Sequence, residues 1–321
     1  MSSWSALYPG QGSQQPGMGK FLFEEFTVAK RLFEEASDAI SLDFKKLCFE
    51  GSEADLAMTE NTQPALLLVS TASYQVLNTE LGFTPCVAAG HSIGEYAAVV
   101  SAGALAFADG IRAVRKRGQA MQSAVPVGEG GMTAVMGLEP DQVFELCKWA
   151  EKESGQSPVS PANINAPGQI VISGRKALLD WLPKNFKAES FPGARVKFIA
   201  LKVSAPFHCA MMKPAEVEMA DVLGSLKFST AKFPIVQNVN AEAVTDGDQL
   251  RKNLVAQISA PVRWIECVKN VRARGANKAV EVGTGKVISG LVKKIDSEGL
   301  RTFNINSLED LKSLAVEFKG S

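Results

Sequence analysis

The chain has 321 residues, of which 46% are hydrophobic, and its 34 basic and 34 acidic side chains give a formal net charge of zero. This length predicts one large domain, or a core domain that carries a smaller inserted one. The absence of excess positive charge argues against a nucleic-acid-binding protein. Five scattered cysteines without a CxxC pair are typical of reduced thiols in the cytoplasm, and two histidines leave little material for a metal site.

No segment of the sequence predicts a membrane span. The most apolar long window, residues 86–108, contains His91, Glu95 and several glycines. The first residues lack the charged start and the apolar stretch of a secretory signal peptide. Together with the cysteine pattern, these features predict a soluble cytoplasmic protein that binds neither membrane nor nucleic acid.

The first part of the chain predicts strands that alternate with helices. Hydrophobic periodicity gives, in chain order, a strand ending at residue 9, an amphipathic helix pair over 20–40, a helix over 65–77 with Pro64 in its first turn, a buried strand over 86–89, and helices over 96–106 and 109–123. This alternation indicates a parallel sheet that is covered by helices on both faces.

A different pattern follows the glycine-rich linker at 125–131. It predicts strands over 132–136, 159–164, 169–173 and 194–203, with helices over 141–152 and 177–186, in the order βαββαβ. This order is typical of a ferredoxin-like unit. Because the α/β pattern resumes after Ser204, we predict an α/β fold with two domains. Residues 1–127 and 205–321 would form a large α/β-hydrolase-like domain with a parallel sheet, and residues 128–204 an inserted ferredoxin-like small domain.

Residues 90–95, Gly-His-Ser-Ile-Gly-Glu, place Ser92 between Gly90 and Gly94. The spacing Gly-x-Ser-x-Gly is that of a nucleophile elbow, a sharp strand-to-helix turn that exposes a serine hydroxyl. Glycine at both positions lets the strand and the helix approach each other closely. Glu95 is expected to be structural, because a helix dipole favours an acidic residue near the helix N-terminus. The motif also occurs in ordinary loops, so its partners decide whether Ser92 is catalytic.

A serine nucleophile requires a base, and the chain has only two histidines. His91 adjoins Ser92, and consecutive side chains of a tight turn point apart, so His208 is the predicted base. A tetrahedral intermediate also requires an oxyanion hole made of backbone N–H groups. One predicted donor is Ile93, directly after the nucleophile. The other is Gln11, whose flanking glycines allow a close approach to the substrate.

Motifs along the whole chain carry a family resemblance. They are Gly10-Gln11-Gly12-Ser13-Gln14, Thr62-Gln63-Pro64-Ala65, the elbow at 90–95, Arg117-Gly118, Pro206-Phe207-His208, Asn238-Val239-Asn240-Ala241, Gln257 with Pro261-Val262-Arg263-Trp264, and Glu281-Val282-Gly283 with Gly285-Lys286. With these motifs in this order, the chain resembles the malonyl-coenzyme A:acyl carrier protein transacylases of type II fatty acid synthesis. The same pattern is shared by the acyltransferase domains of polyketide synthases.

The resemblance implies roles for individual residues. Ser92 would carry the malonyl group as an ester, and His208 would act first as general base and then as general acid. Arg117 would hold the malonyl carboxylate through two hydrogen bonds, which suits a planar guanidinium. No acidic residue would complete the Ser–His dyad, because the backbone carbonyl of Gln257 would orient the imidazole.

The resemblance also implies the ligands of the site. Gln11 and Ile93 would donate to the oxyanion, while Asn163 and Asn165 in the predicted small domain would face the cleft and contact substrate. No metal and no bound cofactor are expected. The substrates would be malonyl-coenzyme A, a coenzyme A thioester, and phosphopantetheinylated acyl carrier protein, a transient partner of an enzyme expected to be a monomer.

The implied activity is transfer of a malonyl group to the phosphopantetheine thiol of acyl carrier protein, by a ping-pong mechanism in fatty acid biosynthesis. An acyltransferase of a polyketide pathway would carry the same motifs. A serine hydrolase or thioesterase would use the same Ser–His pair, although Arg117 and the missing acidic residue argue against it. A non-catalytic module that docks carrier proteins is the remaining alternative.

Overall fold

In the computed structural model, residues 3–187, 189, 195–203 and 205–319 are described. The strands in this part of the chain are β1 (Trp4–Tyr8), β2 (Val87–Gly90), β3 (Gly130–Met136), β4 (Val159–Ala166), β5 (Gln169–Arg175), β6 (Lys197–Ala200), β7 (Ile235–Val236), β8 (Ala243–Val244), β9 (Lys278–Glu281) and β10 (Arg301–Asn304). The α-helices are α1 (Lys20–Glu25), α2 (Thr27–Ile40), α3 (Glu53–Ala57), α4 (Thr59–Leu81), α5 (Ile93–Ser101), α6 (Phe107–Ser123), α7 (Pro140–Ser154), α8 (Lys176–Asn185), α9 (Lys213–Gly224), α10 (Gly247–Ala256), α11 (Trp264–Ala273), α12 (Val287–Ile295) and α13 (Leu308–Lys319). Among these described helices, none combines the length and the apolar character needed to cross a bilayer.

A six-stranded sheet has the order β10–β9–β1–β2–β7–β8, and all neighbours pair in parallel except β7 and β8. The central strands β1 and β2 are buried along their whole length. Successive side chains of a strand point to opposite faces. Ala6 and Ala88 therefore pack into a core with α4, α5 and α6, while Leu7 and Ala89 pack into another with α11 and α12. Helices cover both faces of the sheet, as predicted.

A second, antiparallel sheet has the order β4–β5–β3–β6. Because α7 follows β3 and α8 follows β5, the chain order is βαββαβ, which is the ferredoxin-like arrangement. Leu146 and Leu178 of these helices share a separate core with Val135 and Ile170 of the sheet. The predicted fold class is therefore confirmed. The division into domains stays a prediction, and Ser204 at its boundary lies outside the described residues.

Helix α4 begins at Thr59 and not at Ala65, so the prediction that Pro64 lies in its first turn is wrong. A proline inside a helix removes one N–H and leaves the carbonyl four residues earlier without its usual partner. That carbonyl belongs to Glu60, and it accepts a hydrogen bond from Nη1 of Arg115 at 2.9 Å. The helix therefore continues through the proline because a side chain of α6 satisfies the carbonyl.

Two other predicted elements have different limits. The helix after the elbow, predicted over 96–106, begins at Ile93 and ends at Ser101. Gly103 then adopts a φ of 73°, which a continuing helix does not allow. The strand predicted over 194–203 is shorter, Lys197–Ala200, and its predicted start at Ala194 lies outside the described residues. It is the edge strand of its sheet and pairs with residues 133–136 of β3.

The elbow joins β2 to α5 with no space for a side chain. A Cβ atom on Gly90 would lie 2.0 Å from the carbonyl carbon of Gly94, and a Cβ atom on Gly94 would lie 2.3 Å from the backbone oxygen of Tyr8. Both distances are far shorter than a van der Waals contact. Glycine at these two positions is therefore a steric requirement of the turn that carries Ser92.

We predict that Gly94→Ala lowers the free energy of unfolding by about 1–3 kcal/mol, because the added methyl group forces the backbones of β1 and α5 apart. Urea unfolding followed by circular dichroism measures the change. Gly290→Ala is the matched control, since a Cβ atom there meets nothing within 4 Å and the position lies in α12. That control should gain about 0.5–1 kcal/mol from helix propensity. An unfolding midpoint of Gly94→Ala at the same urea concentration as that of the wild type would contradict the close approach of the β1 and α5 backbones.

Candidate active site

Ser92 lies at the carboxyl end of β2, on the turn into α5. Its backbone torsions, φ 51° and ψ −109°, fall outside the helical and extended regions. The turn directs the hydroxyl toward the imidazole of His208, and Oγ lies 2.7 Å from Nε2. The fold thus brings the predicted nucleophile and the predicted base within hydrogen-bond distance of each other.

The imidazole of His208 is held on its other side by the main chain of Gln257. Nδ1 lies 2.9 Å from the carbonyl oxygen of Gln257. Because a carbonyl oxygen only accepts, Nδ1 carries the proton and Nε2 is left as the acceptor for the Ser92 hydroxyl. This is the tautomer that a general base requires.

Burial and the nearby charge of Arg117 lower the pKa of His208 to about 3, while the hydrogen bond to Gln257 opposes this shift. The charged imidazolium would lose its hydration in the interior and would be repelled by the guanidinium. His208 is therefore neutral at neutral pH, and its Nε2 is free to accept the proton of Ser92.

Arg117 projects from α6 into the interior of the site and is 1% exposed. Nη1 donates to Oε1 of Gln63 at 2.8 Å, and Nη2 donates to Oε1 of Gln257 at 2.8 Å and to Oγ of Ser92 at 3.1 Å. All three acceptors are neutral. Within the part of the chain that the structure describes, no carboxylate forms an ion pair with this guanidinium, and Glu95 acts on it only through space. Burial of a cation among neutral acceptors is costly and marks a place for an anion.

Two glutamine side chains shape the site in ways that were not predicted. Gln257 was expected to act through its backbone, but its side-chain amide also donates to the backbone oxygen of Ser92 at 3.0 Å and accepts from Arg117. Gln63 lies in α4 and holds the other end of the same guanidinium. The signal for Gln63 was present, because a glutamine within a run of buried residues requires a polar partner.

One predicted oxyanion donor lies in the elbow itself and the other in a loop that packs against it. Ile93 is the first residue of α5, and N–H groups in the first turn of a helix have no acceptor within that helix. Gln11 lines the cleft beside Ser92, in the loop after β1. This loop packs directly on the elbow, since a Cβ atom on Gly10 would lie 2.7 Å from the backbone oxygen of His91. The oxyanion role of both residues stays a prediction.

The predicted asparagines lie on β4 and line the same cleft. Oδ1 of Asn165 lies 2.8 Å from Nε2 of His91, so the second histidine bonds to the small sheet and not to Ser92. Asn163 is buried, and it forms an isolated parallel β-bridge with Val262, a residue that precedes α11. Contact of these two asparagines with substrate stays a prediction.

Ser92, His208 and Arg117 open into one cleft with a volume of about 190 Å³. Its remaining wall is largely apolar and comes from both sheets and their connections, with Met121, Met132, Val171, Leu201, Val203, Phe207, Val287, Ile288 and Leu291. Leu201 and Val287 are also partly exposed, at 36% and 47%. The cleft therefore offers a buried cation and a nucleophile at its inner surface and an apolar wall that reaches the protein surface.

Comparison with known proteins gives a consistent result. The family model for the acyl transferase domain matches residues 6–298. The malonyl CoA-acyl carrier protein transacylase of Staphylococcus aureus is 41% identical over 312 residues, which are 97% of this chain and 98% of that protein. The transacylase of the same name from Bacillus subtilis is 41% identical over 317 residues, which are 99% of this chain and 97% of that protein.

Solved structures agree with this similarity. An acyl carrier protein S-malonyltransferase from Vibrio cholerae has a TM-score of 0.91 and 40% identity, with coverage of 98% of this chain and 100% of that one. A malonyl-transacylase solved with its type II polyketide synthase acyl carrier protein has a TM-score of 0.92 and 39% identity, with coverage of 98% and 100%.

We predict that His208 stays neutral between about pH 5 and pH 8, where an exposed histidine gains its charge. The reason is that its pKa lies near 3. Nitrogen-15 spectra of the imidazoles measure this directly, since the chain has two histidines and His208→Gln assigns their signals.

Arg117→Ala should raise the pKa of His208, because the repelling charge is removed. Arg112→Ala, an exposed position on the same helix, should leave that pKa unchanged. Titration of the wild-type His208 signal with a midpoint near the ordinary histidine value of about 6.5 would contradict the proposed state of the base.

Proposed function

The chain belongs to the acyl transferase family of the malonyl CoA-acyl carrier protein transacylases, and we propose that it transfers a malonyl group from coenzyme A to the phosphopantetheine thiol of an acyl carrier protein through an ester on Ser92. The observation that carries this proposal is the buried guanidinium of Arg117, which is 3.1 Å from the Ser92 hydroxyl and bonded only to neutral acceptors. A malonyl thioester has the matching chemistry, since its free carboxylate lies one carbon from the carbonyl that a serine would attack.

In the first half-reaction, His208 Nε2 takes the proton of Ser92 while Oγ attacks the thioester carbonyl. The backbone N–H groups of Ile93 and Gln11 would stabilise the oxyanion. When the carbon–sulfur bond breaks, the imidazolium returns its proton to the departing coenzyme A sulfur. The malonyl group is then an ester on Ser92, and His208 is neutral again.

The second half-reaction runs through the same groups in reverse. The phosphopantetheine thiol gives its proton to His208, and the sulfur attacks the ester carbonyl. When the carbon–oxygen bond breaks, the proton passes from His208 to Oγ of Ser92. The apolar wall of the cleft favours a pantetheine arm over bulk water near the ester, which is the condition for transfer to a thiol.

Arg117 would hold the malonyl carboxylate during both half-reactions. Its two terminal nitrogens give a fork that can form two parallel hydrogen bonds to a carboxylate. Nη2 then exchanges its contact with the Ser92 hydroxyl for a contact with the substrate, which leaves Oγ to its base. An acetyl group offers no anion to this fork, so the site would select malonyl over acetyl groups.

A serine hydrolase or thioesterase remains the alternative reaction, and a polyketide pathway the alternative source of the carrier protein. The partner of His208 Nδ1 is a neutral carbonyl rather than the carboxylate of a hydrolase triad, which favours transfer. We propose a carrier protein of fatty acid synthesis, as the family resemblance implies. One structural relative was solved with a polyketide carrier protein, so that pathway remains a candidate.

The proposal also covers the oligomeric state, the compartment, the partner and the cofactor requirement. We expect the chain to act as a monomer in the cytoplasm, to bind the carrier protein transiently, and to require no bound cofactor. The scattered cysteines support a reducing compartment, since Cys48, Cys86, Cys147, Cys209 and Cys267 are all free thiols.

Ser92→Ala should abolish loading of the protein by malonyl-coenzyme A, because no nucleophile remains at the elbow. Intact-protein mass spectrometry after mixing detects the malonyl ester, and peptide mapping locates it. Ser123→Ala, on the exposed end of α6, is a control that should load normally. Loading of Ser92→Ala at another residue would overturn the assignment. Rapid release of free malonate by the wild type, without a lasting ester, would indicate a hydrolase.

Arg117→Ala should lower the preference for malonyl over acetyl donors by about 3–5 kcal/mol, which is a factor of roughly 10²–10⁴. The substrate carboxylate would then enter a buried site without a partner. Competition between malonyl- and acetyl-coenzyme A for one carrier protein measures the ratio, and any change in base strength that is common to both donors cancels in it. Arg112→Ala should keep the wild-type ratio, and an unchanged ratio in Arg117→Ala would refute the role of the guanidinium.

A further inference from the structure

On the side of β7, the main chain of the elbow is held by the side chain of Asn238. Oδ1 of Asn238 accepts the backbone N–H of Ser92 at 2.8 Å, and Nδ2 donates to the backbone oxygen of Gly90 at 2.7 Å. A single amide therefore bonds to the main chain on both sides of His91, across the turn. Asn238 itself is fully buried.

The position of Asn238 follows from the sheet. Strand β2 pairs with β7 through Ala88 and Ala89, and the ladder stops there because the chain turns at the elbow. Asn238 lies two residues beyond the end of β7, next to the turn. Its amide supplies the donor and the acceptor that the next ladder residues would have supplied. The polar main-chain groups of the strained turn are thereby satisfied in the interior.

Glu95 holds the main chain of Asn238 in turn. Its Oε2 accepts the backbone N–H of Asn238 at 2.6 Å, and its Oε1 accepts from Nε2 of Gln237 at 3.0 Å. Glu95 is in the first turn of α5 and fully buried, so the helix-dipole explanation predicted for it omits its main contacts. Burial raises its pKa to about 7, and the hydrogen bond from Asn238 opposes that shift.

The same hydrogen-bonded chain leads to helix α10. Asn253 Nδ2 donates to Oε1 of Gln237 at 2.6 Å, and Gln249 Nε2 donates to Oδ1 of Asn253 at 2.7 Å. Gln249 is exposed, so the hydrogen-bond network runs from beneath the elbow to the protein surface. Gln257, the residue directly after α10, joins the same network, because its Nε2 donates to Oδ1 of Asn238 at 3.2 Å while its carbonyl orients the base. One polar network therefore supports both halves of the dyad.

We propose that Asn238 and Glu95 are positioning residues for Ser92: Asn238 holds the turn in the torsions that keep Oγ at the base, and Glu95 acts through Asn238. The proposal deepens the proposed function and rests on it for the choice of acyl donor. Neither residue lines the cleft, so their effect falls on the rate of Ser92 acylation and not on the binding of the donor.

Asn238→Ala tests the first part. In single-turnover malonylation followed by quenched-flow mass spectrometry, we expect the limiting rate constant to fall by about 10²-fold, the loss typical of a displacement of about 1 Å. The malonyl-coenzyme A concentration that gives half the limiting rate should change by less than about threefold, and the fraction of protein that becomes loaded should stay at the wild-type value.

A matched control is Asn240→Ala, in the same loop, because that side chain bonds to Glu242 and not to the elbow. It should acylate at the wild-type rate. A merely structural role for Asn238 would lower the loaded fraction and leave the rate constant of the folded molecules unchanged. That result, or a wild-type rate constant in Asn238→Ala, would overturn the proposal.

Glu95→Met and Glu95→Gln test the second part. Methionine leaves the N–H of Asn238 without an acceptor and should slow acylation as much as Asn238→Ala does. Glutamine keeps one acceptor for that N–H. Its new amino group would face the amino group of Gln237, and both are satisfied if the side-chain amides of Gln237, Asn253 and Gln249 each exchange the positions of their nitrogen and oxygen. Glu95→Gln should therefore stay within about fivefold of the wild-type rate, since the terminal amide is at the surface and turns freely.

The double variant Glu95→Met/Asn238→Ala should be no slower than Asn238→Ala alone, because both changes act through the same turn. Multiplication of the two single effects would show that Glu95 acts independently and would overturn that part. If wild-type protein is not malonylated at all, the proposed function fails. The same variants are then compared by the rate at which phenylmethylsulfonyl fluoride labels Ser92, which tests the positioning without any acyl donor.

Discussion

The contact between β2 and α5 at Gly90 and Gly94 is the constraint on which the active site depends. Because the two backbones touch, the chain between them has to pass through the strained torsions of Ser92. Three elements far apart in the sequence then meet at Ser92. The loop of His208 and helix α6 with Arg117 reach its hydroxyl, and Gln257 at the end of α10 reaches its backbone oxygen. Each is placed by the packing of its own element, so the site is a property of the whole parallel sheet and its helices.

Much of this arrangement could be predicted from the sequence because the relevant signals are local. The glycines around Ser92 encode the turn within five residues, and alternating apolar segments encode the parallel sheet and the antiparallel one. With only two histidines, the pairing of Ser92 with His208 required little more than the argument that His91 points elsewhere. The errors fell at the ends of elements, as at Pro64, where a distant Arg115 satisfies a carbonyl that the local sequence leaves open.

The supporting polar network could not be predicted in this way, because its members act at long range. Asn238 and Glu95 are 143 positions apart, and either residue alone is unremarkable in its own segment. The helix dipole explains why an acidic residue is favoured at position 95. An exposed carboxylate would interact with the dipole equally well, so this explanation does not predict that Glu95 is buried. What distinguishes Glu95 is its complete burial, and burial depends on where β7 and α10 pack. Gln63 and the side chain of Gln257 escaped prediction for the same reason, since their partner is Arg117.

In the proposed reaction, Arg117 would link the choice of substrate to the state of the base. Burial, together with the charge of Arg117, holds His208 neutral but also makes the imidazole a weak proton acceptor, with a pKa of about 3. A carboxylate bound to the guanidinium offsets that charge at the imidazole, because opposite charges at short range cancel in their effect on a third group. In the proposed reaction, the bound malonyl group would therefore strengthen the base that activates Ser92. An acyl group without a carboxylate would leave the repulsion in place, so discrimination in the proposed reaction would act on the proton transfer as well as on binding.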